Sequence, residues 1–214
     1  MRSRHLPGFL SIFIRRVRFV FNTPMKSTIL ATTFFLAPLW LQSRAIGFNP
    51  EHLEQLRRTG SCLECDLSSA DLPDALLSNT DLRGANLTGA NLIRADLRRS
   101  NLSEANLSGA SLINANLAGA NLSNSNLTVT ALIKANLTAA NLAGAGMSLA
   151  KLLDANLTGA ALREADLKAA DLRNATLNSA DLRGADLRNA DLDNALLNGT
   201  LLGSAIMPDG TFYP

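Results

Sequence analysis

The chain has 214 residues, 47% of them hydrophobic but only 5% aromatic, a length that suits one domain or one domain with a tail. Its formal charge of +2 hides an asymmetry: residues 1–45 carry seven Lys or Arg and no acid, whereas residues 46–214 carry 13 basic and 18 acidic residues, a net of −5. A mildly acidic body removes the overall pI of 8.8 as an argument for nucleic-acid binding.

The first predicted element is an export signal region over 1–45, with the signal peptide proper at 25–45. Lys26 gives a short positive start, Ile29 to Leu41 is an uncharged and mostly apolar run, and Ser43-Arg44-Ala45 places small residues where a signal peptidase inspects the chain. The run is short for a bilayer and Pro38 interrupts it, so no stable span is expected after cleavage. An uncleaved anchor is the alternative. Residues 1–24 read either as a long basic n-region, with Arg15-Arg16 hinting at a twin-arginine route, or as sequence ahead of a start at Met25. The expected location is outside the cytoplasm, in a periplasm or a thylakoid lumen.

Residues 46–64 are expected to hold a capping helix and a cysteine pair. Asn49 suits an N-cap, Pro50 the first helical position and Glu51 the positive helix end. Leu53 and Leu56 share a face, Arg57 and Arg58 lie near the negative end, and Gly60 can close the helix. So short a helix needs a surface to cover.

From Leu67 to Leu202 every fifth residue is apolar: 28 positions, of which 27 are Leu and one is Met147. The residue two places before each is small, mostly Ala, and no insertion breaks the register. A helix repeats every 3.6 residues and a strand every two, so neither explains a period of five. A unit that points each Leu inward must turn the backbone by a constant angle, tracing a climbing polygon. Ile93, Ile113, Ile133 and Leu153 recur at a spacing of 20, as do Ser68, Thr88, Ser108, Thr128 and Ser148. Twenty residues are four units, so the predicted coil is four-sided. About seven coils at strand spacing would make a rod of about 34 Å.

The tandem Ala-(Asn/Asp)-Leu-X-X over 65–204 resembles the pentapeptide-repeat family. The resemblance implies an all-β, right-handed quadrilateral parallel β-helix with the Leu and the small residue inside and the other three positions outside. Asp or Asn beside each Leu is expected to bond nearby backbone at a corner. Exported pentapeptide-repeat proteins of photosynthetic bacteria also look similar in having a Cys pair just before the first unit. Residues 205–214 are expected to cap the far end, with Ile206, Met207, Phe212 and Tyr213 around the turn Pro208-Asp209-Gly210 forming a hydrophobic lid.

Chemistry is scarce. His52 is the one histidine after the signal region, too few for a triad or a metal cluster, and the glycines fall in repeat register, so no enzyme, cofactor or metal is expected. Cys62 and Cys65 form a disulfide in the expected compartment, pinning the helix to the first coil; a catalytic dithiol and a zinc half-site are the other readings. Between Ala105 and Ala150 the only charged residue is Lys134, and Ile93, Ile113, Ile133 and Leu153 are predicted to form an exposed aliphatic ladder over those coils. Such a surface marks a contact with an unknown protein partner or with a second copy, unless it is drift on a tolerant scaffold. In the last coils Asp166 and Asp186 are expected to stack, as are Lys168 and Arg188.

Three functions fit. The first is an exported structural or protein-interaction scaffold. The second, implied by the family, is a duplex-DNA mimic binding a type II topoisomerase, which needs a cytoplasmic and strongly acidic rod. The third is recognition of a regular lattice such as ice by the Ser/Thr ladder from Ser68 to Ser148. No nucleic-acid partner is expected.

Overall fold

A computed structural model describes residues 47–214; the export signal expected over 1–45 lies outside the described residues. Helix α1 spans Pro50–Thr59. Its ends form as the local sequence requires: the Asn49 side chain accepts the Glu51 N–H at 2.9 Å, and Gly60, at φ 68°, donates its N–H to the Leu56 carbonyl at 2.9 Å. The apolar stripe faces the solenoid, with Leu56 buried and Leu53 partly buried against the core. Two hydrogen bonds dock the helix start: Asn49 N–H donates to the Asp66 carbonyl at 3.0 Å, and Asp66 N–H donates to His52 Nδ1 at 2.8 Å.

After α1 every element is a five-residue unit. Bridged residues stand 20 apart and parallel throughout, from Ser61–Asp81 to Asp186–Ile206, so one storey is 20 residues and has four sides. The unit around Leu87 shows the pattern. Leu87 N–H donates to the Asn106 carbonyl at 2.7 Å, Gly89 N–H to Ser108 at 2.9 Å, and Asn86 N–H to Cys65 at 2.8 Å in the storey below. Ala90 N–H then closes a turn on the Leu87 carbonyl at 3.0 Å. Backbone polar groups are thereby paired between storeys, and the chain can bury its interior without orphaned donors.

The corner follows from that last bond. In each unit from Glu64 to Ser204 the second residue after the central position has a positive φ, as at Asp74 (57°) and Gly119 (66°). A turn with left-handed backbone only at its third residue is the type II geometry. Glycine and asparagine suit it, which is why they recur there. Ala139, at φ 54°, gains nothing from the position and bears its steric cost. Ala139→Asn is expected to stabilise the fold by about 1 kcal/mol, read as a higher denaturant midpoint with an unchanged slope.

The central leucines from Leu67 to Leu187 are all buried, and alanines at the small position fill the space beside them. Where that position holds a hydroxyl, the group bonds to a carbonyl: Ser100 Oγ donates to Leu97 at 2.7 Å and Thr130 Oγ1 to Leu107 at 2.8 Å. Among the described residues no buried side-chain polar atom lacks a partner, so these substitutions avoid the penalty of an unpaired group.

Both ends differ from expectation. The ladder starts at Ser61, one unit ahead of the expected 65, with Cys62 in the central position and its N–H on the Asp81 carbonyl at 2.7 Å. At the far end the ladder runs on through Ile206, with Met207 in the central position. The chain then reverses: Phe212 pairs antiparallel with Ile206, and Tyr213 N–H donates to the Ala205 carbonyl at 2.8 Å. Of the expected hydrophobic lid, Ile206 and Met207 are half-buried at this end, whereas Phe212 is 74% and Tyr213 45% exposed. The hairpin covers the last storey with backbone along one side only, leaving Leu192, Leu197 and Leu202 partly buried.

Candidate interaction surface

The fold leaves three positions per unit for the outside, stacked in columns along the rod. The residue just before each central leucine, an Asx in most units, is the first. Its side-chain oxygen accepts the backbone N–H two residues on, as Asp66 does from Ser68 at 3.1 Å and Asn121 from Ser123 at 3.2 Å. This satisfies the turn and also fixes the side chain, so amides reach the next storey: Asn121 donates to Asn101 at 3.1 Å and Asn141 to Asn121 at 3.1 Å. Most of these polar residues serve architecture.

The charged residues pair in the same way. Where a unit reads Asp-Leu-Arg, the guanidinium folds back on the carboxylate of its own unit, at 2.7 Å for Arg83–Asp81 and 2.6 Å for Arg98–Asp96 and Arg188–Asp186. Asp166 and Asp186 stack, and Lys168 lies between them at 3.1 and 3.4 Å. The Arg188 guanidinium, above all, holds the Asp186 carboxyl well below the ordinary carboxylate range; Arg83, Arg98 and Arg173 act likewise on Asp81, Asp96 and Asp171. Because the folded values are depressed, the unfolded chain binds more protons in acid, and the stability these pairs contribute is present above the unfolded carboxylate value. The melting temperature is expected to fall progressively as pH drops below about 4, and Asp186→Asn should reduce that fall.

The hydroxyl column is occupied internally. Thr88 and Thr128 each donate to the Asn two residues before, at 2.7 Å. Hydroxyls turned onto their own chain offer fewer donors to an external lattice.

The aliphatic column is continuous. Arg94 N–H donates to the Ile113 carbonyl, Asn114 to Ile133 and Lys134 to Leu153, each at 2.9 Å, which sets the four side chains one above another on a single face. They are half-buried rather than exposed, because branched side chains at strand spacing cover one another. The most exposed apolar side chains in the same storeys are Val129 at 48% and Leu149 at 55%, in the left-handed corner position beside this ladder face. A β-branched residue there is uncommon. The spacing of 20 in the residues after the leucines does not report on the corner one place further on, where side chains project most.

Cys62 and Cys65 are joined by a disulfide and both are buried. The bond lies inside the solenoid, between the central place of one unit and the small place of the next. It therefore staples the first storey, and the helix is held by its bonds to Asp66. His52 has the structural role already described, and among the described residues no group of three or more His, Cys, Asp or Glu could hold a metal. No helix among the described residues is long and apolar enough to cross a membrane.

These features define a repeat solenoid of five-residue units, with its interior closed by leucine and alanine and its variation confined to surface columns. The chain belongs to the pentapeptide-repeat family: the family model for pentapeptide repeats matches residues 61–99, 90–128, 132–168 and 165–203. Among solved structures it is similar to HetL, a pentapeptide repeat protein involved in heterocyst differentiation regulation from the cyanobacterium Nostoc sp. strain PCC 7120, at 31% identity over 69% of this chain and 86% of that one, with a TM-score of 0.39. A pentapeptide repeat protein from the Arabidopsis thaliana thylakoid lumen shares 29% identity over 52% of this chain and 64% of its own, with a TM-score of 0.36. A third, alr5209 from Nostoc, shares 43% identity over 42% of this chain and 74% of its own, with a TM-score of 0.39. No curated protein matches the chain by sequence.

Proposed function

We propose that this chain is an exported, non-enzymatic scaffold that works through contacts on its outer faces, a right-handed rod of about seven four-sided coils. The observation that carries the reading is the ladder face. There the column of Ile93, Ile113, Ile133 and Leu153 at one corner and the exposed Val129 and Leu149 at the other flank Ser111, Ala131 and Lys151, in a stretch whose one charge from Ala105 to Ala150 is Lys134. Apolar side chains gathered on one face of a rod mark a contact site when something covers them.

Export is supported by the basic, apolar and small-residue order of residues 25–45 and by the paired cysteines, which suit an oxidising compartment. The scaffold reading is favoured over the two others by surface chemistry. A DNA mimic needs an unbroken acidic face, and here each Asp-Leu-Arg unit neutralises its own carboxylate. Lattice recognition needs outward hydroxyls, and Thr88 and Thr128 are bonded to asparagine.

Fractionation of cells expressing a tagged chain, followed by crosslinking in the compartment where it accumulates, tests the proposal. The expected result is a chain outside the cytosol, crosslinked through the ladder face. Ile113→Asp with Ile133→Asp should keep the fold by circular dichroism and lose those crosslinks. A cytosolic chain, or crosslinks indifferent to the two substitutions, would overturn the reading.

A further inference from the structure

Three columns of the ladder face are complementary to themselves when read backwards, and the column between the first two, Asn91, Ser111, Ala131 and Lys151, is small or polar and opposes Ser111 to Ala131 and Asn91 to Lys151 under the same reversal. The level halfway between Ile113 and Ile133 divides the aliphatic column into two residues on each side, Ile93 and Ile113 below and Ile133 and Leu153 above. The corner column on one side runs Gly89, Gly109, Val129, Leu149, so two glycines stand below that level and two exposed bulky residues above it. The space over Gly109 is open, with nothing within 4 Å of a Cβ placed there. The corner column on the other side runs Arg94, Asn114, Lys134, Asp154, with a cation and an anion at equal distances from the same level.

The geometry points to a second copy of this chain as the occupant of the ladder face, the two rods antiparallel about a two-fold axis that crosses them between Ile113 and Ile133. The axis lies in the interface, perpendicular to the rods, so each column faces itself reversed. Ile113 then meets Ile133 of the second copy, and Ile93 meets Leu153. Val129 and Leu149 project into the gaps over Gly109 and Gly89. Arg94 meets Asp154. Each pairing occurs twice, as an isologous contact requires. Both copies have the same storey spacing, about 4.8 Å, so the match holds along the rod instead of drifting out of step. Arg94 is already ion-paired with Asp74 through two hydrogen bonds at 2.7 and 2.6 Å, but both side chains are 53% exposed, and the other guanidinium N–H groups can serve a second carboxylate.

This inference rests on the reading of the ladder face as a contact surface and does not depend on export. Sedimentation equilibrium of the purified full chain tests it, with four proteins: the natural chain, Arg94→Asp, Asp154→Arg, and the two changes together. The natural chain is expected at twice its monomer mass. Each single change sets like charges opposite one another at both ends of the interface and should weaken association about tenfold. The double change exchanges the signs and should restore it, an outcome that general damage to the fold cannot give. Circular dichroism checks that each variant keeps its fold. A natural chain that stays monomeric overturns the dimer, as does a dimer unaffected by the single changes or not recovered by the double one. A monomer whose Ile113→Asp, Ile133→Asp form loses its crosslinks to another protein would overturn the dimer alone and leave the scaffold reading standing.

Discussion

Deleting residues 155–174 is expected to give a shorter protein that folds as well as the original, whereas deleting a single residue inside a unit, such as Ser108, is expected to destroy the fold from that point on. The larger change is the milder one because of the period. Residues 155–174 make up one whole storey, and their removal joins Asp154 to Ala175, which enters at the same corner that Ala155 left. Every downstream residue keeps its side of the square, and its bridges at a spacing of 20 re-form with the storey below. The loss is one storey and one storey interface from an array in which each unit touches only its neighbours.

Removing Ser108 leaves a unit of four residues. The turn from Leu107 to Ala110 needs two residues between the carbonyl acceptor and the N–H donor, the second in the left-handed region, where Gly109 now sits at φ 66°. With one of them gone, the bond at 3.0 Å cannot close, and Leu112 and every later leucine miss the interior unless the chain strains or bulges. Denaturant melts and circular dichroism measure both outcomes. A stable Ser108 deletion, or a collapsed 20-residue deletion, would contradict the four-sided storey. Deleting five residues, 155–159, is the intermediate case. It should fold while turning all later columns by one side, which breaks the surface columns but not the core.

The interior was legible because one chemical rule is repeated without exception. Leu at every fifth place and a small residue two before it can be satisfied together by only one kind of backbone path, and the spacing of 20 in Ile93, Ile113 and Ile133 gave the number of sides. The helix ends were legible for a local reason, since Asn49-Pro50-Glu51 and Gly60 act within one turn of themselves. The solenoid boundaries were less so. Gly60-Ser61-Cys62 and Ala205-Ile206-Met207 obey the rule of small, then polar or β-branched, then apolar, but carry neither the Asx nor the Leu that marked most of the other units. The closing hairpin is not periodic at all. Its pairing of Ile206 with Phe212 depends on a reversal at Pro208-Asp209-Gly210 that competes with continuing the coil.

The surface was legible as columns but not in degree of exposure. Stacking at strand spacing covers Ile113 and Ile133, while the positive-φ corner pushes Val129 and Leu149 outward. Neither effect is visible in a hydropathy pattern, because the first depends on neighbours 20 residues away and the second on the turn inside each unit. The cysteines show the same limit. Their spacing of three reads as a link from helix to coil until the backbone places Cys62 in a central position.

Burial by storey leads to a second large effect, and to a gradient in it. Leu122→Ala is expected to cost ~3–5 kcal/mol, at the upper end for a buried leucine. Leu122 is fully buried, with Leu102 below and Leu142 above also fully buried, so the vacated space has no exposed wall that could move in. The surrounding backbone is tied to the storeys on either side, Leu122 N–H to Asn141 at 2.7 Å and Asn121 N–H to Ser100 at 2.9 Å, which further prevents collapse of the cavity. Leu192→Ala removes the same atoms in the last storey, where the side chain is only partly buried. It is expected to cost about 1–2 kcal/mol, the transfer term without a closed cavity. Comparing the two by equilibrium denaturation separates packing from composition. Equal costs at the two positions would mean that the far end is covered by something beyond the hairpin of residues 205–213, such as another molecule seated on the open storey.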